Sequence, residues 1–442
     1  MTNRIVFFWA FVVALGGFLF GFDTAVISGA EQSIQQYWQL TGVQHGLTVS
    51  IALIGTVFGA LTGSIPSDKW GRRATLVLVA LVYLFSALGT ALAGNWYLFL
   101  VCRFIGGLGV GASSVTAPVY ISEISPAQYR GRMVALFQFN VVFGILISYL
   151  SNYLIGQGGE NSWRLMLGIQ AAPAALFLVL LRWVPESPRW LLLHHRKEAA
   201  AVATLQLINP AGYEEDMGTI RRSQQQQPAG APRESLFTAR YRTPVMLAVL
   251  FAMFNQVSGI NAIIYYAPRI FEMSGLGAGS SLLSTLGIGI VNFISTLAAI
   301  RFIDRVGRRR LMMIGTIGLI ATLGLVAISF YMHTGGIAVV SYLLIYIAFF
   351  AFSQGAVIWV FIAEIFPNQV RARGQTLGSF THWIMAALIA FIFPYLASHI
   401  GGGHIFLFFC GMMVLQLLFV WRWMPETRGQ TLEEIEMNMI MH

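Results

Sequence analysis

The sequence predicts an all-α integral membrane protein: about twelve transmembrane helices in two pseudo-symmetric six-helix halves. Three observations predict it. The 442 residues are 57% hydrophobic and only 10% charged, far below the roughly 25% charged residues of a soluble domain, and the mean hydropathy is +0.70. Apolar stretches near the roughly 20 residues that span hydrocarbon as a helix recur about twelve times. Finally, three loop signatures occur twice, at offsets of 236, 241 and 240 residues. Asp68-Lys69-Trp70-Gly71-Arg72-Arg73 returns as Asp304-Arg305-Val306-Gly307-Arg308-Arg309. Glu123-Ile124-Ser125-Pro126, with Arg130 and Arg132 after it, returns as Glu364-Ile365-Phe366-Pro367 with Arg371 and Arg373. Pro185-Glu186-Ser187 returns as Pro425-Glu426-Thr427. A tandem duplication in apolar sequence is a transporter architecture, with the substrate site expected at the repeat interface.

The spans fall near residues 5–28, 45–66, 74–94, 96–118, 133–154, 164–184, 244–272, 280–302, 311–332, 337–362, 374–397 and 403–423. Continuous runs without alternating polarity favour helices over a barrel. This divides the chain into a first half (1–184), a cytoplasmic linker (185–243), a second half (244–424) and a cytoplasmic tail (425–442). Residues 5–28 are too long for a signal peptide and contain Asp23, so they read as the first span.

Net charge +9 is set by topology. With both termini cytoplasmic, only Arg164 and Arg269 of 27 Lys and Arg fall near outward ends, which is the positive-inside pattern. The partner that this implies is the lipid bilayer, not nucleic acid. Cys102 and Cys410 both lie in apolar spans, so no structural disulfide is expected. The longest outward loop is expected at 29–44, and no Asn-x-Ser/Thr sequon occurs. Together these point to a bacterial inner membrane. In the linker, Trp190 to Leu207 reads as an amphipathic helix and Gln224 to Pro232 as polar linker; Leu432 to Glu436 reads as a short surface helix.

In the repeated loops, Gly allows a tight turn, Arg anchors the inner face, and Asp can pair with Arg or cap a helix. Matched acids and bases in both copies predict a cytoplasmic charge network of Asp68, Arg72, Arg73, Glu123 and Arg130, with Asp304, Arg308, Arg309, Glu364 and Arg371. It is expected to hold the cytoplasmic side closed and to part when that side opens.

Asp23 reads as the only acid well inside a span and Arg103 as the only clearly buried base. Burying such a charge costs on the order of 3 kcal/mol, so it is functional by default. Counted from the outer ends, their depths differ by roughly 3 Å at about 1.5 Å per residue, so an ion pair is plausible. Span seven carries Asn255, Gln256 and Asn261 around Ser258-Gly259, where a helix can bend and open backbone groups. Amides both donate and accept hydrogen bonds.

Taken together these residues resemble the sugar porter family of the major facilitator superfamily, across essentially the whole chain. The resemblance rests on Gly21-Phe22-Asp23-Thr24, on Arg103 with Gly106, Gly107, Gly109 and Gly111, and on Pro118-Val119-Tyr120-Ile121-Ser122-Glu123. It rests further on Pro185-Glu186-Ser187-Pro188-Arg189, Gln256-x-x-Gly259-Ile260-Asn261 and Pro425-Glu426-Thr427-Arg428-Gly429. It implies the major facilitator fold and a proton-coupled importer of monosaccharide, a hexose such as glucose, working as a monomer by alternating access. It implies that Gln138, Asn255, Gln256, Asn261 and Asn292 bind hydroxyls, that Trp359 and Trp383 pack on the ring, and that Phe20, Tyr265 and Tyr266 line or gate the cavity. Proton-coupled members carry Asp and Arg where Asp23 and Arg103 stand; facilitative relatives commonly have Asn for the Asp.

The chain departs from the family pattern at four places. Asn255 stands where a Gln is usual, Ile145 replaces a second Gln, and Ala356 replaces a frequent Pro. His382 takes the place of an amide, open between binding a hydroxyl, sensing pH and lining the pore. These departures leave the sugar's identity open. An enzyme is not expected: the His residues are scattered and no metal cluster, cofactor motif or phosphate loop is present. The tail is short for a sugar receptor. A facilitative uniporter or a pentose or polyol symporter are the alternatives.

Overall fold

The computed structural model describes residues 4–126, 129–159, 161–194, 197–225, 235–367 and 370–428. The first repeat contains α1 (Arg4–Tyr37), α2 (Gly42–Thr62), α3 (Ser64–Trp70), α4 (Arg72–Leu92), α5 (Trp96–Ile124), α6 (Arg130–Ile155), α7 (Ser162–Gly168) and α8 (Ala171–Leu180). Then come α9 (Pro188–His194), α10 (Glu198–Ile208) and α11 (Tyr213–Gln225). The second repeat contains α12 (Arg242–Val257), α13 (Ile260–Met273), α14 (Ala278–Val306), α15 (Arg308–Met332), α16 (Gly336–Phe352), α17 (Gln354–Glu364), α18 (Arg371–His399) and α19 (Gly401–Trp423). Twelve helical segments among the described residues are long and apolar enough to cross a membrane.

Three expectations are corrected. α1 runs on to Tyr37 and α2 begins at Gly42, so the supposed loop 29–44 is mostly helix. The amphipathic stretch Trp190 to Leu207 is two helices, α9 and α10. Span ten, expected as one helix, divides at Ser353 into α16 and α17; span seven divides where the bend was expected, at Ser258-Gly259, into α12 and α13. The expected tail helix (432–436) and most of the polar linker (226–232) lie outside the described residues.

Contacts group the chain into two compact units. One gathers Met1–Thr24, Ile54–Ser148 and Arg164–Arg233; the other gathers Ala25–Leu53, Tyr149–Trp163 and Glu234–His442. In the first unit, small residues let helices meet backbone to backbone: a Cβ on Gly111 of α5 would strike Thr56 O and Ala60 N of α2. Such small-residue contact is how helices associate where lipid removes the hydrophobic drive between them. In the second unit a buried aromatic cluster joins α12, α17 and α19. The Phe251 and Phe361 rings lie 4.7 Å apart, and the Phe254 and Phe419 rings 5.5 Å.

The α12–α13 break positions the amide-bearing residues. Gly259 has φ +88°, and a Cβ there would lie 2.5 Å from the Phe409 ring, so the position demands glycine twice over. The break frees backbone acceptors, and side chains take them up. Ser258 Oγ donates to Asn255 O at 2.7 Å, and Tyr346 Oη donates to Ser258 O at 3.0 Å. The interrupted helix is therefore satisfied without water, as a membrane interior requires.

Candidate functional site

Three assemblies hold the candidate residues. The first is the pair on α1 and α5 in the first unit. Arg103 Nη1 donates to Asp23 Oδ1 at 2.7 Å, and Nη2 lies 3.5 Å from Asp23 O. Asp23 is 3% exposed and Arg103 2%. Arg103 Nε and the nearby Tyr83 Oη, both buried, have no hydrogen-bond partner in the protein. Here a charged pair is held with spare donor capacity beside it, an arrangement that a proton on Asp23 would disrupt.

The second assembly is the amide cluster in the second unit. Gln256, 1% exposed, is the hub: its Nε2 donates to Asn255 Oδ1 at 2.8 Å, and its Oε1 accepts from Asn261 Nδ2 at 2.5 Å. The same Nε2 lies 3.0 Å from His382 Nδ1. The His382 ring sits 4.8 Å from the Trp359 ring and 4.9 Å from the Trp383 ring, centroid to centroid. Amides, an imidazole and two indoles thus converge, which is the chemistry a polyhydroxylated ring needs. With every polar atom of Gln256 engaged, an incoming hydroxyl must exchange partners with the protein.

The remaining sugar and gate candidates are spread out. Asn292 on α14 is half-buried, and no described hydrogen bond ties it to the cluster. Gln138 on α6 is exposed and Phe20 on α1 half-buried, both in the first unit. Tyr265 and Tyr266 are buried on α13. Tyr266 Oη is spent on Ala390 O at 2.7 Å, and its ring stacks on Phe393.

The third assembly is the charged loops. Arg72 grips Glu123 with Nε and Nη2, both at 3.1 Å, and Asp68 with Nη1 at 2.8 Å. In the second repeat Arg308 Nη2 meets Glu364 Oε1 at 2.9 Å, and Thr427 Oγ1 donates to Glu364 Oε2 at 2.6 Å. Arg73 and Arg309, expected within the ionic network, instead donate to backbone carbonyls: Arg73 Nε to Leu181 O at 3.1 Å, Arg309 Nη2 to Trp421 O at 2.6 Å. Arg371 Nε reaches Phe366 O at 3.1 Å. The side chains of Arg130 and Asp304 lie outside the described residues.

Sequence reasoning missed what Glu186 and Glu426 do. Glu186 accepts the backbone N–H of Arg72 at 2.9 Å and of Arg73 at 3.1 Å; Glu426 accepts those of Arg308 at 2.9 Å and Arg309 at 3.2 Å. Each carboxylate caps a helix start, where orphan N–H groups and the dipole favour an anion. Gly71 and Gly307 have φ +105° and +98°. A Cβ on Gly307 would lie 2.6 Å from the Glu426 carboxylate, and one on Gly71 would strike Glu186. Burial raises the Glu186 carboxyl above its ordinary value, against the opposing pull of the Ser187, Arg73 and Arg72 N–H groups. The twice-occurring Pro-Glu-Ser/Thr beside a twice-occurring Gly-Arg-Arg was the signal available. Glu426→Ala is expected to cost about 1–3 kcal/mol by stranding two N–H groups, read as a lower Tm in detergent. Unchanged melting would show that solvent replaces the cap. Among the described residues, no group of three or more His, Cys, Asp or Glu is placed to hold a metal.

Comparison with known proteins agrees in kind. The family model described as sugar (and other) transporter matches residues 9–439. The D-xylose-proton symporter of Escherichia coli (strain K12) is 34% identical over 473 residues, covering 98% of this chain and 96% of that protein. The glucose transporter GlcP of Staphylococcus epidermidis is 37% identical over 436 residues, covering 96% and 95%. The inward-open structure of the E. coli xylose transporter XylE superposes with TM-score 0.88 at 33% identity, covering 98% of this chain and 99% of that one. With twelve candidate spans, the duplicated loops and this agreement over nearly the full length, the chain is a multi-pass membrane transporter, not an enzyme, and belongs to the sugar porter family of the major facilitator superfamily.

Proposed function

We propose that this chain imports a monosaccharide together with protons, by alternating access, with both termini in the cytoplasm of a bacterial cell. The observation that carries the reading is the buried contact between Asp23 and Arg103, 2.7 Å long and almost fully out of solvent. A carboxylate there is ionised while it holds the guanidinium; a proton on it weakens the pair and frees α1 and α5 to move. Relatives described as a xylose-proton symporter and a glucose transporter support the substrate class.

The sugar is proposed to bind at Asn255, Gln256, Asn261 and His382, with Trp359 and Trp383 against its apolar face. Gln138, Asn292, Phe20 and Tyr265 are kept as proposed contributors. Glucose is the first substrate to test and xylose the second. His382, in place of an amide, offers one donor and one acceptor in a fixed ring where an amide offers two donors and an acceptor oxygen, which narrows the hydroxyl pattern the site accepts.

The test is uptake of labelled glucose, xylose and a polyol into proteoliposomes with and without an inward proton gradient. Gradient-driven accumulation of a sugar is expected. Equilibration that ignores the gradient would make the protein a facilitative uniporter, and accumulation of the polyol alone would move the substrate class.

A further inference from the structure

Glu31, His45 and Arg269 form a second buried charged set. Glu31 and His45 are both fully buried, on α1 and α2. Arg269 of α13 grips Glu31 fork to fork, Nε to Oε1 at 2.9 Å and Nη2 to Oε2 at 2.8 Å, and Nη2 also reaches Gln35 Oε1 at 2.6 Å. His45 Nε2 lies 2.5 Å from Glu31 Oε2 and 3.4 Å from Arg269 Nη2, so its proton points at the carboxylate. His45 Nδ1 is buried and has no partner in the protein. The set therefore places one carboxylate between a guanidinium and an imidazole whose second nitrogen is bare.

Its surroundings are tightly closed. A Cβ on Gly46 would strike Phe391 O of α18, and one on Gly29 would lie 2.6 Å from Asn152 of α6. Tyr149 Oη of α6 donates to Ile264 O of α13 at 2.9 Å. Among the described residues, Tyr266 and Glu272 of α13 are the other titratable groups that interact with the set. The Tyr266 and His45 ring centroids lie 6.2 Å apart with the rings inclined at 64°, and Glu272 interacts electrostatically with both Glu31 and Arg269. A buried ion pair adds little net stability over apolar packing of the same shape. A set whose imidazole keeps one bare nitrogen beside an ion pair is suited to switching.

We propose that Glu31, His45 and Arg269 are a proton-operated latch that ties α1 and α2 to α13 on the outer side of the transporter. "Outer" rests on the cytoplasmic termini proposed above; the latch itself does not depend on symport. A proton from the outer water adds to His45 Nδ1. It creates an N–H with no acceptor and a second cation beside Arg269. Glu31 then keeps His45, its neighbour on the first-repeat side, and releases Arg269, so α13 parts from α1. When the latch recloses, the proton leaves Nδ1 for the same water. Acid outside thus opens the access route for sugar, independently of the proton carried by Asp23.

Spin labels at Gln36→Cys on α1 and Met273→Cys on α13, both exposed positions, read the opening by double electron–electron resonance, with Cys102 and Cys410 replaced by Ala. Between about pH 8 and about pH 5.5, the range in which His changes charge, the ratio of long to short distances is expected to rise about five- to tenfold. In His45→Gln, which keeps an N–H for Glu31 but does not titrate, the ratio is expected to stay flat. In Glu31→Gln the long distance is expected at both pH values, and in Asp23→Asn the pH response is expected to persist. A flat wild-type ratio, a shift retained in His45→Gln, or a shift lost in Asp23→Asn would each overturn the latch. Because no transport is measured, a uniporter would still show the response, which separates failure of the latch from failure of proton coupling.

Discussion

Asp23→Asn is expected to abolish concentrative sugar uptake while leaving exchange of sugar across the membrane intact. The side chain keeps its shape and can still accept from Arg103 Nη1, now 2.7 Å from Oδ1, but no longer exchanges a proton. One proton falling through about 100 mV supplies about 2.3 kcal/mol, equivalent to roughly 50-fold accumulation. That whole factor is expected to vanish. Proteoliposomes preloaded with sugar should still exchange label at a rate within a few-fold of the parent. Accumulation retained in the variant would remove Asp23 from the coupling step.

Arg103→Met is expected to be strongly destabilising. It strands the Asp23 carboxylate, 3% exposed, without its counter-ion, and breaking a buried pair from one side costs about 3–5 kcal/mol. A depressed Tm and aggregation on size-exclusion chromatography are the expected readouts. The double variant Asp23→Asn/Arg103→Met should recover most of the loss, since no unpaired charge remains, yet should not accumulate sugar. That split divides the pair's part in folding from its part in coupling. An Arg103→Met protein as stable as the parent would mean that the pair adds nothing to folding.

Much of this was legible in the sequence because charge is conspicuous against hydrocarbon. Asp23 and Arg103 stand alone in apolar runs, and the pair follows from their depths. The bend at Ser258-Gly259 was legible too, since glycine flanked by amides marks where a helix opens. Glu31 was not. The apolar run fades after Ser28 into Gln32, Gln35 and Gln36, so the span was ended there, although the helix continues to Tyr37 and buries Glu31 completely. Hydropathy registers the membrane, and it is blind to a polar helix end sheltered by other helices. The break at Ser353 was equally silent: no glycine or proline stands at the residue itself, and its hydroxyl simply returns to Phe349 O at 2.6 Å. Arg73 and Arg309 misled for a different reason. A motif tells which residues recur, and the guanidinium of one Arg and the backbone N–H of its neighbour look the same in a string of letters.

The two capping carboxylates also impose an order on biogenesis. Glu186 lies 114 and 113 residues beyond the N–H groups of Arg72 and Arg73 that it receives, and Glu426 lies 118 and 117 beyond those of Arg308 and Arg309. A ribosome delivering the chain from its N-terminus makes α4 long before Glu186, and α15 long before Glu426. Each repeat therefore waits with an open helix end until its sixth span is in the membrane and the residues just after it emerge. The chain closes its halves one after the other, each fastened by an acid made just after its sixth span.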